Sequence, residues 1–214
     1  MITLYGLQSP YVYRVRACLL QKGLEFQHVS VNLGNRSEEF KNLSPVGTIP
    51  ALKDEDGTVV TDSFHIGLYL DEKYPKSHRM FGNTLKEKAF ILNILAVIDK
   101  AHQINQPFST EKYADRLRSN GTPHRALLYD DAQKDAARID LSRRLSKLEE
   151  LKGSKKFFTQ SFSFADAAML CLLRSIEFGG NGIGSWKGWG EEVLKDQKIA
   201  QMFTPAEEKG VREI

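Results

Sequence analysis

The pattern of apolar and turn-forming residues changes at about Pro75, and this change constrains the fold more than any other feature. Before it, strand-like and helix-like stretches alternate, and after it only helix-like stretches occur. Alternating strands and helices bury a sheet, whereas successive helices pack on one another. A chain of 214 residues is long enough for two such cores. The sequence therefore predicts two domains, over residues 1–76 and 83–214.

The first part of the chain predicts strands and helices in the order β-α-β-α-β-β-α. Pro10 suits the first turn of a helix that Gly23 terminates, and the turn residues 54–57 predict a β-hairpin. Asp62 or Ser63 then caps the last helix. The predicted strands are 1–5, 24–32, 49–53 and 58–60, and the predicted helices are 10–22, 37–43 and 63–73. A β-α-β unit followed by a hairpin and a closing helix is the thioredoxin-like plan.

Helical patterns fill the rest of the chain from residue 84 onward. A long amphipathic helix begins there and is expected to end or kink at Pro107, and the polar residues 109–123 predict a loop. Further helices are predicted over 124–150, 163–178 and about 191–201. The fold class is therefore a two-domain α+β protein, in which a thioredoxin-like N-terminal domain is followed by an all-α helical-bundle domain.

Composition and charge argue against several functions. The chain has 30 Lys and Arg against 27 Asp and Glu, mixed in order, which does not indicate a nucleic-acid partner. No apolar run reaches the roughly 20 residues that span a bilayer, and the N-terminus does not look like a signal peptide. Cys18 and Cys171 lie among apolar residues, which is typical of a reducing compartment. Because metal-ligand spacing is also lacking, we expect a cytoplasmic protein without metal, membrane segment or nucleic acid.

Four short motifs together resemble those of the cytosolic glutathione S-transferase family with an active-site serine. They are Ser9-Pro10-Tyr11 with Arg14-Val15-Arg16, the segment SPVGTIPAL at residues 44–52, the pair Asp62-Ser63, and Ser163-Phe164-Ala165-Asp166. Each motif alone is weak, but four in the family's order along essentially the whole chain are specific. The resemblance implies a glutathione transferase of the alkyl- or aryl-transfer class, with glutathione as co-substrate and no metal. It further implies a homodimer with a role in detoxification.

The resemblance makes Ser9, at the start of the first helix, the catalytic residue. A free thiol has a pKa of about 8.5 and is mostly protonated at neutral pH, whereas the thiolate is the nucleophile. A hydrogen bond from Ser9 and the positive end of the helix would stabilise the glutathione thiolate. Serine cannot form a mixed disulfide, so conjugation is favoured over thiol–disulfide exchange. From residue type alone, a plain helix cap is the commoner role of such a serine.

The resemblance also implies a set of residues that bind glutathione. They are Ser9, Thr48, Ile49, Pro50, Asp62 and Ser63. A cis bond before Pro50 would turn the backbone groups of Ile49 toward the backbone of glutathione, whereas an ordinary trans proline would only open a strand. Ser63, at a helix N-terminus, would bind the γ-glutamyl carboxylate, and Asp62 would bind the γ-glutamyl ammonium group.

The glycyl carboxylate of glutathione has no partner among these motifs. Thr48 stands where the family often has Lys, Arg or Gln. The nearby candidates for this contact are Asn35, Arg36 and Lys41. Arg14 and Arg16 could add positive potential near the thiolate, although arginines on a helix surface are more often solvated.

The second substrate implied by the resemblance is a small hydrophobic electrophile. The residues expected to line its pocket, between the first helix and the helical domain, are Tyr11, Val12, Ile104, Phe108 and Tyr113. Two other functions stay open. One is a non-catalytic interaction protein of the stringent-starvation type, which residues 203–208 loosely resemble and which generally lacks the glutathione pocket. The other is glutathione-dependent isomerisation, dehalogenation or peroxide reduction by the same thiolate.

Overall fold

The computed structural model describes residues 1–119, 129–204 and 212–213, without the side chains of residues 113, 115–119 and 212–213. Contacts divide the chain into two compact units, Met1–Asn83 with Val193–Ile214, and Thr84–Glu192. The elements are β1 (Ile2–Tyr5), α1 (Pro10–Lys22), β2 (Phe26–Ser30), α2 (Glu38–Leu43), β3 (Ala51–Lys53), β4 (Val59–Thr61), α3 (Ser63–Lys73), α4 (Leu85–Ser119), α5 (Asp131–Lys152), α6 (Phe164–Phe178), α7 (Trp186–Val193), α8 (Gln197–Ala200), a 3-10 helix (Gln201–Phe203) and β5 (Arg212–Glu213).

The first unit is built on a mixed sheet with the strand order β4-β3-β1-β2-β5. Strand β1 runs parallel to β2 and antiparallel to β3, and β3 forms the predicted hairpin with β4. From β1 to α3 the element order is the one that the sequence predicts. The thioredoxin-like N-terminal fold followed by helices is therefore confirmed.

Helix α1 follows β1 after a four-residue turn, packs against α3 and the C-terminal 3-10 helix, and buries an apolar face. Val12, Val15 and Leu19 on this face are fully buried. Gly23 ends the helix with φ +67°, a left-handed conformation that glycine adopts without steric cost. The packing fixes the N-terminus of α1, which Ser9 caps, at the end of the central strand.

Helix α4 continues through Pro107, where the sequence predicts an end or a kink, and through residues 109–119, where it predicts a loop. Proline leaves a carbonyl of the preceding turn without its helical donor. This carbonyl belongs to Gln103, four residues before Pro107, whereas the Ser109 hydroxyl donates to the neighbouring carbonyls of Asn105 and Gln106, at 3.3 and 3.1 Å. Because Phe108 is buried with the rest of this face, packing outweighs the polar composition. The remaining predicted loop residues, 120–123, lie outside the described residues.

The second unit consists of helices in its described part. Helix α4 packs against α5 and α6, and α6 is buried nearly all round, as its apolar composition predicts. Helix α5 begins at Asp131, capped by Asp130, rather than at residue 124, and residues 124–128 lie outside the described part. The Ser-x-x-Asp spacing at Ser163 predicts a helix cap, and Ser163 does precede α6.

Asp166 in the first turn of α6 is a fully buried carboxylate. It accepts hydrogen bonds from the Phe158 N–H at 2.9 Å, the Ser163 N–H at 2.9 Å and the Ser163 hydroxyl at 2.6 Å. Burial raises the pKa of Asp166 to about 6, although these hydrogen bonds favour the ionised form and oppose the increase. The carboxylate joins the segment before α6 to the helix itself.

The raised pKa of Asp166 predicts that its contribution to stability falls as pH rises. Between its unfolded pKa near 4 and its folded pKa near 6, the folded chain holds this proton more tightly than the unfolded chain. The free energy of unfolding of wild type, relative to Asp166→Asn, should therefore decrease from pH 4 to pH 7 by on the order of 3 kcal/mol. Urea unfolding of both proteins across this range measures the difference. A difference that stays constant or increases with pH would contradict the prediction.

The C-terminal segment corrects the predicted boundary of the helical domain, 83–214. From Val193 onward the chain groups with the first unit. The guanidinium of Arg16 donates to the backbone carbonyls of Met202 and Gln201 at 3.2 and 3.3 Å, and Tyr13 stacks edge-on against Phe203 at 5.2 Å. Strand β5 extends the sheet beside β2. Partners so distant in sequence leave no local pattern from which this arrangement could be predicted.

Candidate functional site

Ser9 caps helix α1 with an extended backbone conformation. Its hydroxyl oxygen accepts a hydrogen bond from the Val12 N–H at 3.3 Å. A hydroxyl that accepts through a lone pair still has its own proton to donate. Ser9 can therefore cap the helix and donate to an anion at the same time, so the two roles that the sequence left open are compatible.

Strand register brings three of the predicted segments to one end of the sheet. Tyr5, just before the turn formed by residues 6–9 (the Ser9 turn), pairs with Ala51, and Ala51 pairs with Thr61 on its other side. At this end of the sheet Pro50 directly precedes β3 and Asp62 directly follows β4. The Asp62 N–H donates to the Pro50 carbonyl at 3.3 Å. The Ser9 turn, the loop of residues 44–50 (the Pro50 loop) and the start of α3 therefore lie side by side.

The peptide bond between Ile49 and Pro50 is cis. In the loop before it, the Ser44 hydroxyl donates to the Thr48 carbonyl at 3.0 Å and accepts from the Thr48 N–H at 3.2 Å. Pro50 is buried, Ile49 is half-buried and Thr48 is exposed. Ser44 thus holds the backbone of the loop from inside.

Asp62 and Ser63 form the start of helix α3. Asp62 has φ +70°, a conformation that is rare for any residue other than glycine. Its carboxylate accepts from the N–H groups of Phe64 and His65 at 2.9 and 3.3 Å. Ser63 is 2% exposed, and within the described residues no hydrogen bond engages its hydroxyl. A strained backbone held by surrounding structure is common at binding sites, and Asp62 has such a backbone.

The three candidates for the glycyl carboxylate differ in their surroundings. Lys41 forms an ion pair with Glu38 within α2, and the backbone of Asn35 is bound in a turn. The guanidinium of Arg36 lies against Gly47, so close that a Cβ at Gly47 would stand 2.8 Å from its Nη1. Arg36 therefore lies next to the Pro50 loop with its charge exposed, which favours it over Lys41.

Both arginines of α1 are buried, contrary to the expectation that they are solvated. Arg14 is 1% exposed and stacks over the Tyr11 ring at 4.9 Å. Arg16 donates to the C-terminal carbonyls described above and lies over the Phe26 ring at 5.8 Å. An arginine within a helical apolar pattern is expected at the surface, because the residues that it contacts in the folded chain are far away in sequence.

His28 on β2 is a residue that the sequence did not single out. Its Nε2 lies 3.0 Å from the Gly6 carbonyl and its Nδ1 lies 3.2 Å from an Arg16 nitrogen. Because a carbonyl only accepts, Nε2 carries the proton and Nδ1 accepts from Arg16. Burial and the charge of Arg16 lower the pKa of His28. The ring is therefore neutral at pH 7 and connects α1 to the start of the Ser9 turn.

The residues predicted to line a second-substrate pocket lie in different surroundings. Tyr11 is 38% exposed, and Val12 is fully buried. In the other unit Ile104 is half-buried and Phe108 is buried, with the guanidinium of Arg138 over its ring at 5.3 Å. The side chain of Tyr113 lies outside the described residues. The pocket stays a prediction.

The described residues thus combine a thioredoxin-like unit, which has a cis proline and a serine-capped first helix, with a second unit of helices. No group of three or more His, Cys, Asp or Glu side chains in the described ranges could hold a metal ion. Among the described helices, none is long and apolar enough to cross a bilayer.

Comparisons with known proteins find similarity to glutathione S-transferases. Residues 4–78 match the family model for the glutathione S-transferase N-terminal domain. A glutathione S-transferase structure from Rhodospirillum rubrum superposes with a TM-score of 0.79 at 25% identity, over 96% of this chain and 93% of that one. A rice glutathione S-transferase in complex with glutathione superposes with a TM-score of 0.73 at 19% identity, over 95% and 91%, which shows the shared fold.

Curated relatives match over shorter segments. Glutathione S-transferase Z1 of Arabidopsis thaliana is 35% identical over 111 residues, 50% of this chain and 49% of the relative. Maleylacetoacetate isomerase of Pseudomonas aeruginosa is 35% identical over 84 residues, 37% of this chain and 40% of the relative. The match thus spans at most about half the length of these relatives.

Proposed function

We propose that this protein is a glutathione transferase in which Ser9 stabilises the glutathione thiolate for attack on a hydrophobic electrophile. The observation that carries the proposal is the convergence of the Ser9 turn, the Pro50 loop and the start of α3 at one end of the sheet. Each of these segments supplies a different kind of group: a hydroxyl at a helix N-terminus, an edge of backbone, and an acidic residue beside a buried serine. The domain and fold comparisons support the part of this proposal that assigns the chain to the glutathione transferases.

Each part of glutathione has a complementary group at this site. The Ser63 hydroxyl and the N-terminus of α3 suit the γ-glutamyl carboxylate, and the second carboxylate oxygen of Asp62 suits the γ-glutamyl ammonium group. The backbone of Ile49 suits the cysteinyl backbone, next to Thr48. The guanidinium of Arg36 suits the glycyl carboxylate.

The role of Ser9 is energetically reasonable. Lowering the pKa of a thiol by about two units requires roughly 2.7 kcal/mol of differential stabilisation of the thiolate. A charge-assisted hydrogen bond contributes about 1.5–3 kcal/mol and a helix N-terminus up to about 1 kcal/mol. Ser9 and the first turn of α1 can therefore supply the shift together.

Arg36→Gln is expected to raise the dissociation constant of glutathione by about tenfold, the effect of losing roughly 1.4 kcal/mol of charge-assisted binding. Lys41→Gln is the matched control, because it removes a similar charge five residues further along the chain that already pairs with Glu38. Its dissociation constant should stay within about twofold of wild type. Isothermal titration calorimetry measures both. Equal effects of the two substitutions, or none at Arg36, would contradict the assignment.

Glutathione-dependent isomerisation is the second candidate function, favoured by the partial similarity to maleylacetoacetate isomerase. In an isomerisation the sulfur adds to an activated double bond, the resulting single bond rotates, and the sulfur leaves again. Glutathione is then recovered unchanged, whereas conjugation consumes it. Product analysis with electrophiles of both kinds, following the glutathione concentration, separates the two reactions. From the family we also propose that the protein is cytoplasmic and forms a homodimer. Sedimentation would test the dimer.

A further inference from the structure

We propose that Arg16 and His28 are positioning residues that hold the Ser9 turn, and with it the Ser9 hydroxyl, where it meets the sulfur of glutathione. This inference rests on the proposed function and extends it to two residues that do not touch glutathione themselves. It depends on a chain of contacts from the C-terminal segment through α1 and β2 to the Ser9 turn.

The first step is the contact between His28 and the start of the Ser9 turn. The Gly6 carbonyl accepts from His28 Nε2 at 3.0 Å, and the Gly6 N–H donates to the Val29 carbonyl at 3.0 Å. Both backbone polar groups of Gly6 are thus bound to β2. The turn leaves the central strand from a fixed point.

The second step is the contact between Gly6 and the helix that Ser9 caps. A Cβ at Gly6 would lie 2.5 Å from a methyl carbon of Val12, so the backbone of Gly6 packs directly against this side chain. The N–H of Val12 is the donor that the Ser9 hydroxyl accepts. A displacement of Gly6 would therefore move both ends of the hydrogen bond that orients Ser9.

The third step is the orientation of His28 by Arg16. The buried guanidinium of Arg16 donates to His28 Nδ1 at 3.2 Å and to the carbonyls of Met202 and Gln201. A planar guanidinium with three fixed acceptors has little freedom. Arg16 thereby keeps the His28 ring in the tautomer that donates to Gly6. The C-terminal 3-10 helix, more than 170 residues away in sequence, takes part in this arrangement.

Positioning of this kind affects the thiolate more than binding. Displacements of about 1 Å can cost a factor of about one hundred in catalysis, and a hydrogen bond to an anion weakens steeply with distance and angle. The affinity for glutathione depends mainly on Arg36, Asp62 and Ser63, which the contacts of His28 do not involve. The loss of His28 should therefore alter the pKa of the bound thiol and leave the affinity nearly unchanged.

The test compares His28→Leu with His28→Gln in the full chain, measuring glutathione affinity by calorimetry and the bound thiolate by its ultraviolet absorbance across pH. His28→Leu should lower the thiolate fraction at neutral or lower pH by up to about tenfold, the result of a one-unit rise in the thiol pKa. The affinity of His28→Leu for glutathione should stay within about threefold of that of wild type. His28→Gln, whose amide can donate to Gly6 and accept from Arg16, should restore most of the thiolate. Gln27→Leu on the neighbouring strand position, which faces the other side of the sheet, should behave as wild type.

A double variant shows whether His28 acts through Ser9. If it does, adding His28→Leu to Ser9→Ala changes the thiolate fraction no further than Ser9→Ala alone. Additive effects, or a His28→Leu protein with the wild-type thiol pKa, overturn the inference and leave the proposed function intact. Wild type that binds no glutathione, or binds it without a thiolate, overturns the proposed function itself. Should His28→Leu not fold, Arg16→Lys, which keeps the charge but not the planar fork, takes its place with the same expected direction.

Discussion

Replacing Asp166 with alanine is expected to lower the free energy of unfolding by about 4 kcal/mol. The carboxylate accepts from three buried donors, the N–H groups of Phe158 and Ser163 and the Ser163 hydroxyl. Alanine leaves all three without an acceptor in a fully buried place, and each orphaned donor costs about 1–3 kcal/mol. Helix α6 packs against α4 at the centre of its unit, so its start cannot fray into water without opening the core. Urea unfolding at pH 7 measures the loss.

Asp196→Ala is the matched control for this prediction. Asp196 also caps a helix, accepting from the N–H groups of Lys198 and Ile199, but it is exposed, so water replaces its oxygens. Its loss should cost about 1 kcal/mol or less. If both substitutions cost the same, the buried hydrogen bonds of Asp166 are not what stabilises α6.

Lys22→Met is expected to lower the free energy of unfolding by about 3–5 kcal/mol. Lys22 Nζ lies 2.9 Å from the Asp71 carboxylate, and the two side chains are 0% and 1% exposed. The ammonium group also donates to the Ser77 hydroxyl at 3.0 Å and the His78 carbonyl at 2.9 Å. Methionine fills a similar volume but leaves Asp71 buried without its nearest cation. Removing one member of a buried pair is costly because the other charge stays uncompensated.

Two further variants separate this effect from simple loss of a surface charge. Lys73→Met removes an ion pair with Asp56 in which both side chains are more than 40% exposed, and it should lower the free energy of unfolding far less than Lys22→Met does. The double variant Lys22→Met with Asp71→Leu should cost less than the sum of its single substitutions, because no charge is left unpaired. Additivity of the two would show that the pair does not act as a unit.

The order of elements in the first unit could be predicted because its signals are local. Pro10 and Gly23 mark the ends of α1, and Gly57, with φ +86°, completes the predicted hairpin turn. The β-α-β unit and the hairpin then permit few arrangements of the strands. Short-range chemistry was enough to specify this part of the fold.

The long helix α4 and the C-terminal segment could not be predicted in this way. The polar residues after Pro107 suit a loop, but α4 packs against α5 and α6 and buries Phe108 and Ala114. The residues after Val193 join the first unit through Arg16 and Tyr13. Contacts between such distant parts of a chain depend on the complete fold.

The same difference between local and long-range signals decides which residues of the candidate site could be predicted. The sequence motifs predicted Ser9, Pro50, Asp62 and Ser63, and strand register brings their segments together. Arg36 could be chosen over Lys41 only from the surroundings of each side chain. The hydrogen bonds of His28 to Gly6 and Arg16 join residues on different elements, and a single histidine in a strand has no pattern that marks such a role.

The most direct test of the central claim is the ultraviolet thiolate signal of glutathione bound to wild type and to Ser9→Ala, recorded together with calorimetric binding. We predict that wild type binds glutathione as a thiolate at pH 7. Ser9→Ala should bind it with a similar affinity but lose most of the thiolate, because the thiol pKa returns toward about 8.5. A thiolate that persists unchanged in Ser9→Ala would contradict the role of Ser9. Absence of binding to wild type at millimolar glutathione would contradict the transferase function and favour a non-catalytic interaction protein.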